Sequence, residues 1–386
     1  MPKRDLTKFL EKVVKNLDGG VTISDMSKVR VPYADRIPFG IMDLDIATKG
    51  GWPRGTVNEI FGPDGIGKNL IANMNIAECQ QKYGDACSVF YMSLGYRPDR
   101  DFMRKCGVKV KFSDDELEAM GIDPATATDE QRGEEIGNLV FIDVAQNAEA
   151  AKQPSENLFT AATECIESGY FQLGIIDEMA SGETKDNVKK GLGDEQRVAT
   201  WANLVTGFVR KVYTALRKFD ENGDPNGTCI VVLQPVRANM DAHTSKYNPF
   251  TIPSGHALKH LKALDLHLRS GGNMPTESGD KVGKITKWKI AKGKFGLSEG
   301  AEGEFSFRFF QHDGTGGVDP IGCMVAAAKA MGTITSRGRY HYILHYEDRI
   351  EGGLEGVVEL LRISPTLVGE LREATLLAAR TGELPT

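Results

Sequence analysis

The stretch GPDGIGKNL at residues 62–70 constrains this chain more than any other. It follows a short apolar run, TVNEIFG at 56–62, and leads into a segment that reads as a helix from Lys68 to about Tyr83. Gly62, Gly65 and Gly67 let backbone N–H groups turn inward around anionic oxygens, and Lys68 adds a cation for the outer phosphates. A helix that starts at Lys68 aims its positive end at the same point. Pro63, Asp64 and Ile66 fill the turn between the glycines, while Asn69 and Leu70 open the helix. Glycine, four residues, glycine and lysine between a strand and a helix predict a phosphate-binding loop, and with it an α/β fold. Asn69 stands where a serine or threonine hydroxyl would ordinarily hold Mg²⁺. An asparagine carbonyl is still an oxygen ligand, on a longer arm, so the expectation is weakened metal binding rather than its loss.

The pattern around the loop agrees with that fold. CSVFYMS (87–93), LVFIDVA (139–145), LGIIDEM (173–179) and TCIVVLQ (228–234) are short apolar runs, separated by helical stretches near 99–106, 155–168 and 195–218. Continuous apolar strands between helices predict a mostly parallel sheet covered on both faces. KITKWKIAK (284–292) and EFSFRFF (304–310) alternate polar and apolar residues, as antiparallel edge strands do. The strand LGIID ends in Asp177, the expected carboxylate that holds Mg²⁺ through water. Glu178 beside it either polarises an attacking water or leaves the sheet toward solvent.

Composition narrows the class. The chain has 386 residues, 40% of them hydrophobic and 26% charged, with a formal net charge of −6. Such a chain buries a full core, and any nucleic acid must meet a local basic surface. Six scattered cysteines show no paired spacing, which argues against a metal cluster and for a reducing, cytoplasmic setting. No run of about eighteen apolar residues predicts a membrane span, and the charged start MPKRDLTKFLEKVV does not read as a signal peptide. Seven histidines form no triad or metal spacing; His256 and His260 read as surface or DNA-proximal groups. Residues 3–17 read as an amphipathic helix whose apolar stripe packs either on the home core or on a neighbouring subunit. The acid-rich segment 112–137 reads as a solvated surface insertion. The tail from 319 predicts helices at 321–331 and 354–380 in a small C-terminal subdomain. Its cluster Arg337, Arg339, Tyr340, His341 and Tyr342 either guides duplex DNA or forms a solvated hairpin. Segment 182–194 carries Lys185, Lys189 and Lys190, and segment 237–255 carries Arg237, Lys246, Tyr247 and Phe250. Basic groups beside aromatics suit single-strand binding, although both segments also read as plain flexible loops.

The order and wording of these segments resemble the RecA-like recombinase family from about residue 36 to about residue 340, and the C-terminal half looks most like its phage members. The resemblance rests on IMDLDIATKGGWPRGTVNEIFGP (41–63), DRDFMRKCGV (99–108), GDEQRVATWANLVTGFVRKV (193–212), VVLQPVR (231–237), TIPSGHALKHL (251–261), KIAKGKFG (289–296) and GTGGVDP (314–320). It implies a RecA-like P-loop ATPase core over 36–318, an N-terminal oligomerisation helix and linker over 1–35, and a small C-terminal α/β subdomain over 319–386. It also implies a DNA-dependent ATPase that takes ATP and Mg²⁺, with Asp99 near the adenine amino group and Phe102 stacked on the base. Gln234 would be the sensor glutamine, and Lys292 and Lys294 would reach the γ-phosphate held by the adjacent subunit. The implied partners are single-stranded DNA, double-stranded DNA as the pairing target, further copies in a helical homo-oligomer, a single-strand-binding protein and a mediator. The segments 182–194 and 237–255 fall where the family has its two DNA loops. Two departures stand out. Leu94 occupies the position of the family's catalytic glutamate, with Met92 where aspartate is frequent, and Asn69 replaces the hydroxyl residue. Loss of a water-orienting carboxylate removes roughly 10²–10⁴-fold in rate.

Overall fold

The computed structural model describes residues 12–13, 15, 23, 26–143, 154–188, 198–219, 223–238, 250–251, 255–275, 279–311, 314–343 and 349–384. Helix α1 (Met42–Ala47) precedes strand β1 (Val57–Gly62), helix α2 (Lys68–Tyr83), strand β2 (Ser88–Ser93), helix α3 (Arg100–Lys105) and strand β3 (Asn138–Ile142). Helix α4 (Pro154–Glu167), strand β4 (Leu173–Asp177), helix α5 (Val198–Leu216) and strand β5 (Cys229–Pro235) follow. Then come helix α6 (Gly255–Leu261), strands β6 (Leu264–Pro275), β7 (Lys281–Gly293), β8 (Glu302–Arg308) and β9 (Gly317–Val318), and helices α7 (Pro320–Ala330), α8 (Gly353–Arg362) and α9 (Pro365–Thr381).

Nine strands form one sheet in the order β9-β8-β7-β6-β1-β5-β4-β2-β3. From β6 to β3 every neighbouring pair is parallel, and from β6 to β9 every pair is antiparallel. The expected mostly parallel α/β sheet is therefore present. One face packs on α2 through Ile71, Met74 and Ile76, and the other on α4 and α5 through Phe159, Ile166, Phe208 and Val212. A third apolar cluster joins α7, α8 and α9 to Met42 and Ile46 of α1, so a helix from before the sheet completes the C-terminal unit.

Three expectations need correction. Strand β7 is an interior strand, because β6 lies on one side of it and β8 on the other. Its alternation marks one buried face, with Thr286, Trp288 and Ile290 inward, and not an edge. The single long helix expected over 354–380 is two helices, broken where Pro365 lacks the N–H that would continue the first. Strand β3 is the sheet's outer parallel strand and leaves Val140 and Phe141 exposed, so it is not covered on both faces. The acid-rich insertion is a mostly exposed surface segment, as expected, and two capping boxes, Ser113 with Glu116 and Thr128 with Gln131, anchor it. Glu116 also takes a forked pair from Arg104 at 2.9 and 3.1 Å, and Leu117 is fully buried. Of the N-terminal helix expected over 3–17, only residues 12, 13 and 15 are described, all helical; the rest lies outside the described residues. Among the described residues no helix is long and apolar enough to cross a membrane.

One contact at the head of β1 is sensitive to pH. The His267 ring on β6 stacks on Phe61 at 4.5 Å between centroids, one residue before the glycine loop. Burial, with Arg269 and Lys289 nearby, pushes its pKa from 6.5 down to about 4. The unfolded chain then binds the extra proton between those values, so stability is full above pH 6.5 and is lost as pH falls toward 4. His267→Gln is expected to flatten the pH dependence of the unfolding midpoint across that window, and an unchanged slope would contradict the assignment.

Candidate nucleotide site and nucleic-acid loops

Strand register assembles the site. Phe61 pairs with Gln234, Gly62 with Pro235, Leu233 with Asp177, and Asp177 with Ser93. The carboxyl ends of β1, β5, β4 and β2 thus stand side by side, where parallel sheets place their ligands. A cavity of about 680 Å³ opens there, walled by the glycine loop, Asp177, Glu178, Phe102 and the strand end Phe307–Phe310.

The loop has the shape its glycines allow. Gly65 and Gly67 have φ of 64° and 106°, in the left-handed region, and no side chain caps the start of α2. Lys68 is folded over the loop, donating from Nζ to the Gly62 and Pro63 carbonyls at 2.9 and 3.0 Å, with Asp64 at 3.4 Å. Burial pulls its pKa down, opposed by Asp64, Asp177 and Glu178. From outside, Lys284 Nζ donates to the Gly65 carbonyl at 2.7 Å and Thr286 Oγ1 to the Ile66 carbonyl at 2.9 Å. Neither β7 residue was singled out in the sequence, because each lies some 220 positions away from its partner.

Asp177 is buried and its Oδ2 accepts from Asn69 Nδ2 at 3.0 Å and from the Tyr91 hydroxyl at 2.9 Å. Burial raises its pKa, and the bonds from Tyr91 and Asn69, with Lys68, pull the other way. The structure brings Asn69 and Asp177 together through the Asn69 amide nitrogen, not the carbonyl oxygen expected to meet a cation, and adds Tyr91, which the sequence did not signal. Gln234 is fully buried between Leu233 and Pro235, which line the cavity, but is not itself part of the wall, and among the described residues neither atom of its amide has a hydrogen-bond partner. An uncapped helix start and a lysine resting on carbonyls that a ligand oxygen can replace both fit a phosphate chain. Asp177 and Asn69 fit its divalent cation, which takes most of its ligands from water and phosphate.

One end of the cavity is aromatic. Phe102 meets Phe310 edge to face at 5.8 Å, and Phe307 lies against Gly67. Asp99 caps α3, accepting from the N–H groups of Asp101 and Phe102 at 2.9 and 3.1 Å, and is not part of the cavity wall. Lys292 and Lys294 also stand outside it. Their Nζ atoms donate to the Lys259 and His260 carbonyls at 2.5 and 3.2 Å, at the carboxyl end of α6.

Of the expected DNA-loop residues, Lys185 is exposed at the start of a one-turn helix, Lys185–Val188, and Arg237 is exposed past the end of β5. Arg237 pairs with Thr251, and Ala238 with Phe250, closing the base of the second loop. Lys189, Lys190, Lys246 and Tyr247 lie outside the described residues. In the C-terminal hairpin Arg339 sits over Tyr340 at 5.0 Å and Arg337 over Tyr342 at 5.6 Å.

Residues 4–114 and 117–302 match the family described as the RecA N-terminal domain. The chain is 27% identical to Protein RecA of Thermus aquaticus over 377 residues, covering 97% of this chain and 94% of that protein. It is 26% identical to Protein RecA of Aquifex aeolicus over 379 residues, covering 96% and 94%. It is 25% identical to DNA repair protein recA homolog 1, chloroplastic, of Arabidopsis thaliana over 385 residues, covering 98% and 75%.

Proposed function

The chain belongs to the RecA-like recombinase family, and from that premise we propose that it is an ATP-dependent recombinase of DNA recombination and repair. In this reading it forms a helical filament on single-stranded DNA and pairs that strand with homologous duplex. The observation that carries the nucleotide half is the convergence of Lys68, Asn69 and Asp177 on one cavity at the strand ends. Lys68 and the loop N–H groups would bind the phosphates of ATP, Asn69 and Asp177 the Mg²⁺, and Phe102 the base. A Mg²⁺ held by Asn69 and Asp177 would supply neutralisation of the phosphate charge. Gln234, buried on the strand that continues to Arg237 and the second loop, would report the outer phosphate to the DNA side. Lys292 and Lys294 do not line their own cavity, which supports their acting on a neighbour's nucleotide. In that arrangement ATP binding is coupled to filament geometry.

Finer points belong to the same reading. We take residues 1–35 as the oligomerisation segment, 36–318 as the ATPase core and 319–386 as a small C-terminal unit. A phage origin, action in the cytoplasm of a bacterial host, and help from a single-strand-binding protein and a mediator rest on the wording of the C-terminal half alone. A second reading, a filament protein that binds ATP without efficient hydrolysis, is favoured by Asn69 and by Leu94, which packs on the apolar cluster of α4 and α5.

Electron microscopy of the full chain with single-stranded DNA, with and without ATP, tests the assembly; rings or bare DNA would contradict it. Lys189→Ala with Lys190→Ala is expected to weaken single-strand binding and to flatten its salt dependence. Each phosphate that is no longer neutralised takes about 0.7 off the slope. Unchanged affinity and slope would remove this loop from the DNA surface.

A further inference from the structure

Strand β2 ends without a carboxylate, and the group that fills the space beside it comes from another strand. Ser93 and Leu94 close β2, and the Leu94 N–H donates to the Asp177 carbonyl at 3.1 Å, one step past the last rung between β2 and β4. The next step of that register sets Leu94 beside Glu178, and the Glu178 side chain reaches one residue further, to Gly95. A Cβ built on Gly95 would stand 1.6 Å from Glu178 Oε2 and 2.6 Å from its Cδ. The carboxylate thus occupies the volume that any other residue at 95 would claim. The backbone of Glu178 accounts for its reach. Its φ and ψ are 52° and 41°, in the left-handed region, one of three non-glycine residues with positive φ among those described. A β-strand exit in ordinary geometry would not turn this side chain across β2, and such strain collects where function holds it.

From these contacts we propose that Glu178, turned across the end of β2 and lodged over Gly95, is the carboxylate that orients the water attacking the γ-phosphate. The inference rests on the ATP site proposed above and names its hydrolytic group. Glu178 walls the same cavity as Asp177, Asn69 and Lys68. In the step, the water oxygen bonds to the γ-phosphorus and its proton passes to Glu178. The bond from phosphorus to the bridging oxygen breaks, that oxygen keeps the electron pair, and ADP leaves; inorganic phosphate departs and Glu178 returns its proton to solvent. Gly95 acts as a positioning residue. Its φ is not in the left-handed region, so alanine there is barred by the Glu178 carboxylate and by nothing in the backbone.

That feature makes the test clean. The far end of a glutamate can swing away from a new methyl group, so Gly95→Ala should fold and bind nucleotide normally with the carboxylate displaced. In steady-state ATP hydrolysis by the full chain on single-stranded DNA, Glu178→Gln and Gly95→Ala are each expected to lower kcat about 10²-fold. KM and the Kd for ADP should stay within about twofold, since the missing interaction belongs to the transition state. The double variant should be no slower than Glu178→Gln alone, because both act through one group. Parent-like turnover in either single variant overturns the inference. So does a parent that binds ADP but never hydrolyses ATP, an outcome that leaves the nucleotide site itself standing. A parent that does not bind ADP removes the site reading on which the inference depends.

Discussion

Lys68→Ala is expected to lower affinity for ATP and ADP by at least about 100-fold and to abolish nucleotide-dependent filaments. The size of the effect comes from hydrogen bonds that alanine has no means to make. A lysine against a phosphate makes charge-assisted hydrogen bonds of roughly 1.5–3 kcal/mol each, and two of them exceed a hundredfold in binding. The structure adds a second cost. Lys68 Nζ ties the Gly62 and Pro63 carbonyls together, so alanine also releases the turn that aims the backbone N–H groups. Lys284 and Thr286 still hold the loop at Gly65 and Ile66, which is why the variant should remain folded and lose binding specifically. Titration with a fluorescent ADP analogue, beside a thermal unfolding curve, separates the two effects. Unchanged affinity in a folded variant would mean that the phosphates sit elsewhere.

What the sequence revealed about this site was local, and what it concealed was distant. The loop from Gly62 to Asn69 and the strand ending at Asp177 are legible because glycine spacing and an apolar run ending in an acid are short-range patterns. Strand β6 escaped notice: its second half, RSGGNMP, lacks the branched residues that mark a strand, and it forms only because β7 folds back on it. Tyr91, Lys284 and Thr286 looked like ordinary strand residues, and only the sheet brings them to Asp177 and the loop. Asp99 illustrates the opposite limit. Its place before α3 is read correctly from the chain, yet its carboxylate is engaged by the first turn of that helix, as an N-cap aspartate would be. Gly95 carried no signal, since a glycine after a strand is common and its meaning depends on what lies across from it.

Lys262→Met should cost about 3–5 kcal/mol of stability, the largest loss we expect from a single substitution outside the cavity. Lys262 follows α6 directly and its side chain is 3% exposed, paired with Glu59 on β1 and with Asp265 on β6 at 2.9 Å. Glu59 and Asp265 face each other in the parallel register of β1 and β6. Without the ammonium two buried acids remain as neighbours in a region that water does not screen. Lys262→Met combined with Glu59→Gln and Asp265→Asn removes the stranded charges along with the cation, and should recover most of the loss. An exposed lysine would show neither the cost nor the recovery. The pH dependence separates the cases further. Burial already raises the Asp265 pKa above its unfolded value of 3.8, against the pull of Lys262. Removing that pull raises it further, so the folded variant binds a proton that the unfolded chain releases, and its deficit grows as pH rises from 3.8. Denaturant midpoints measured from acid to neutral pH should therefore diverge upward between parent and variant. Parallel midpoints would mean that Lys262 is dispensable to the two acids. The consequence reaches the function as well. Lys292 and Lys294 donate to carbonyls of α6 just before Lys262, so the same ion cluster anchors the helix that follows segment 237–255 to the strand that leads into the glycine loop.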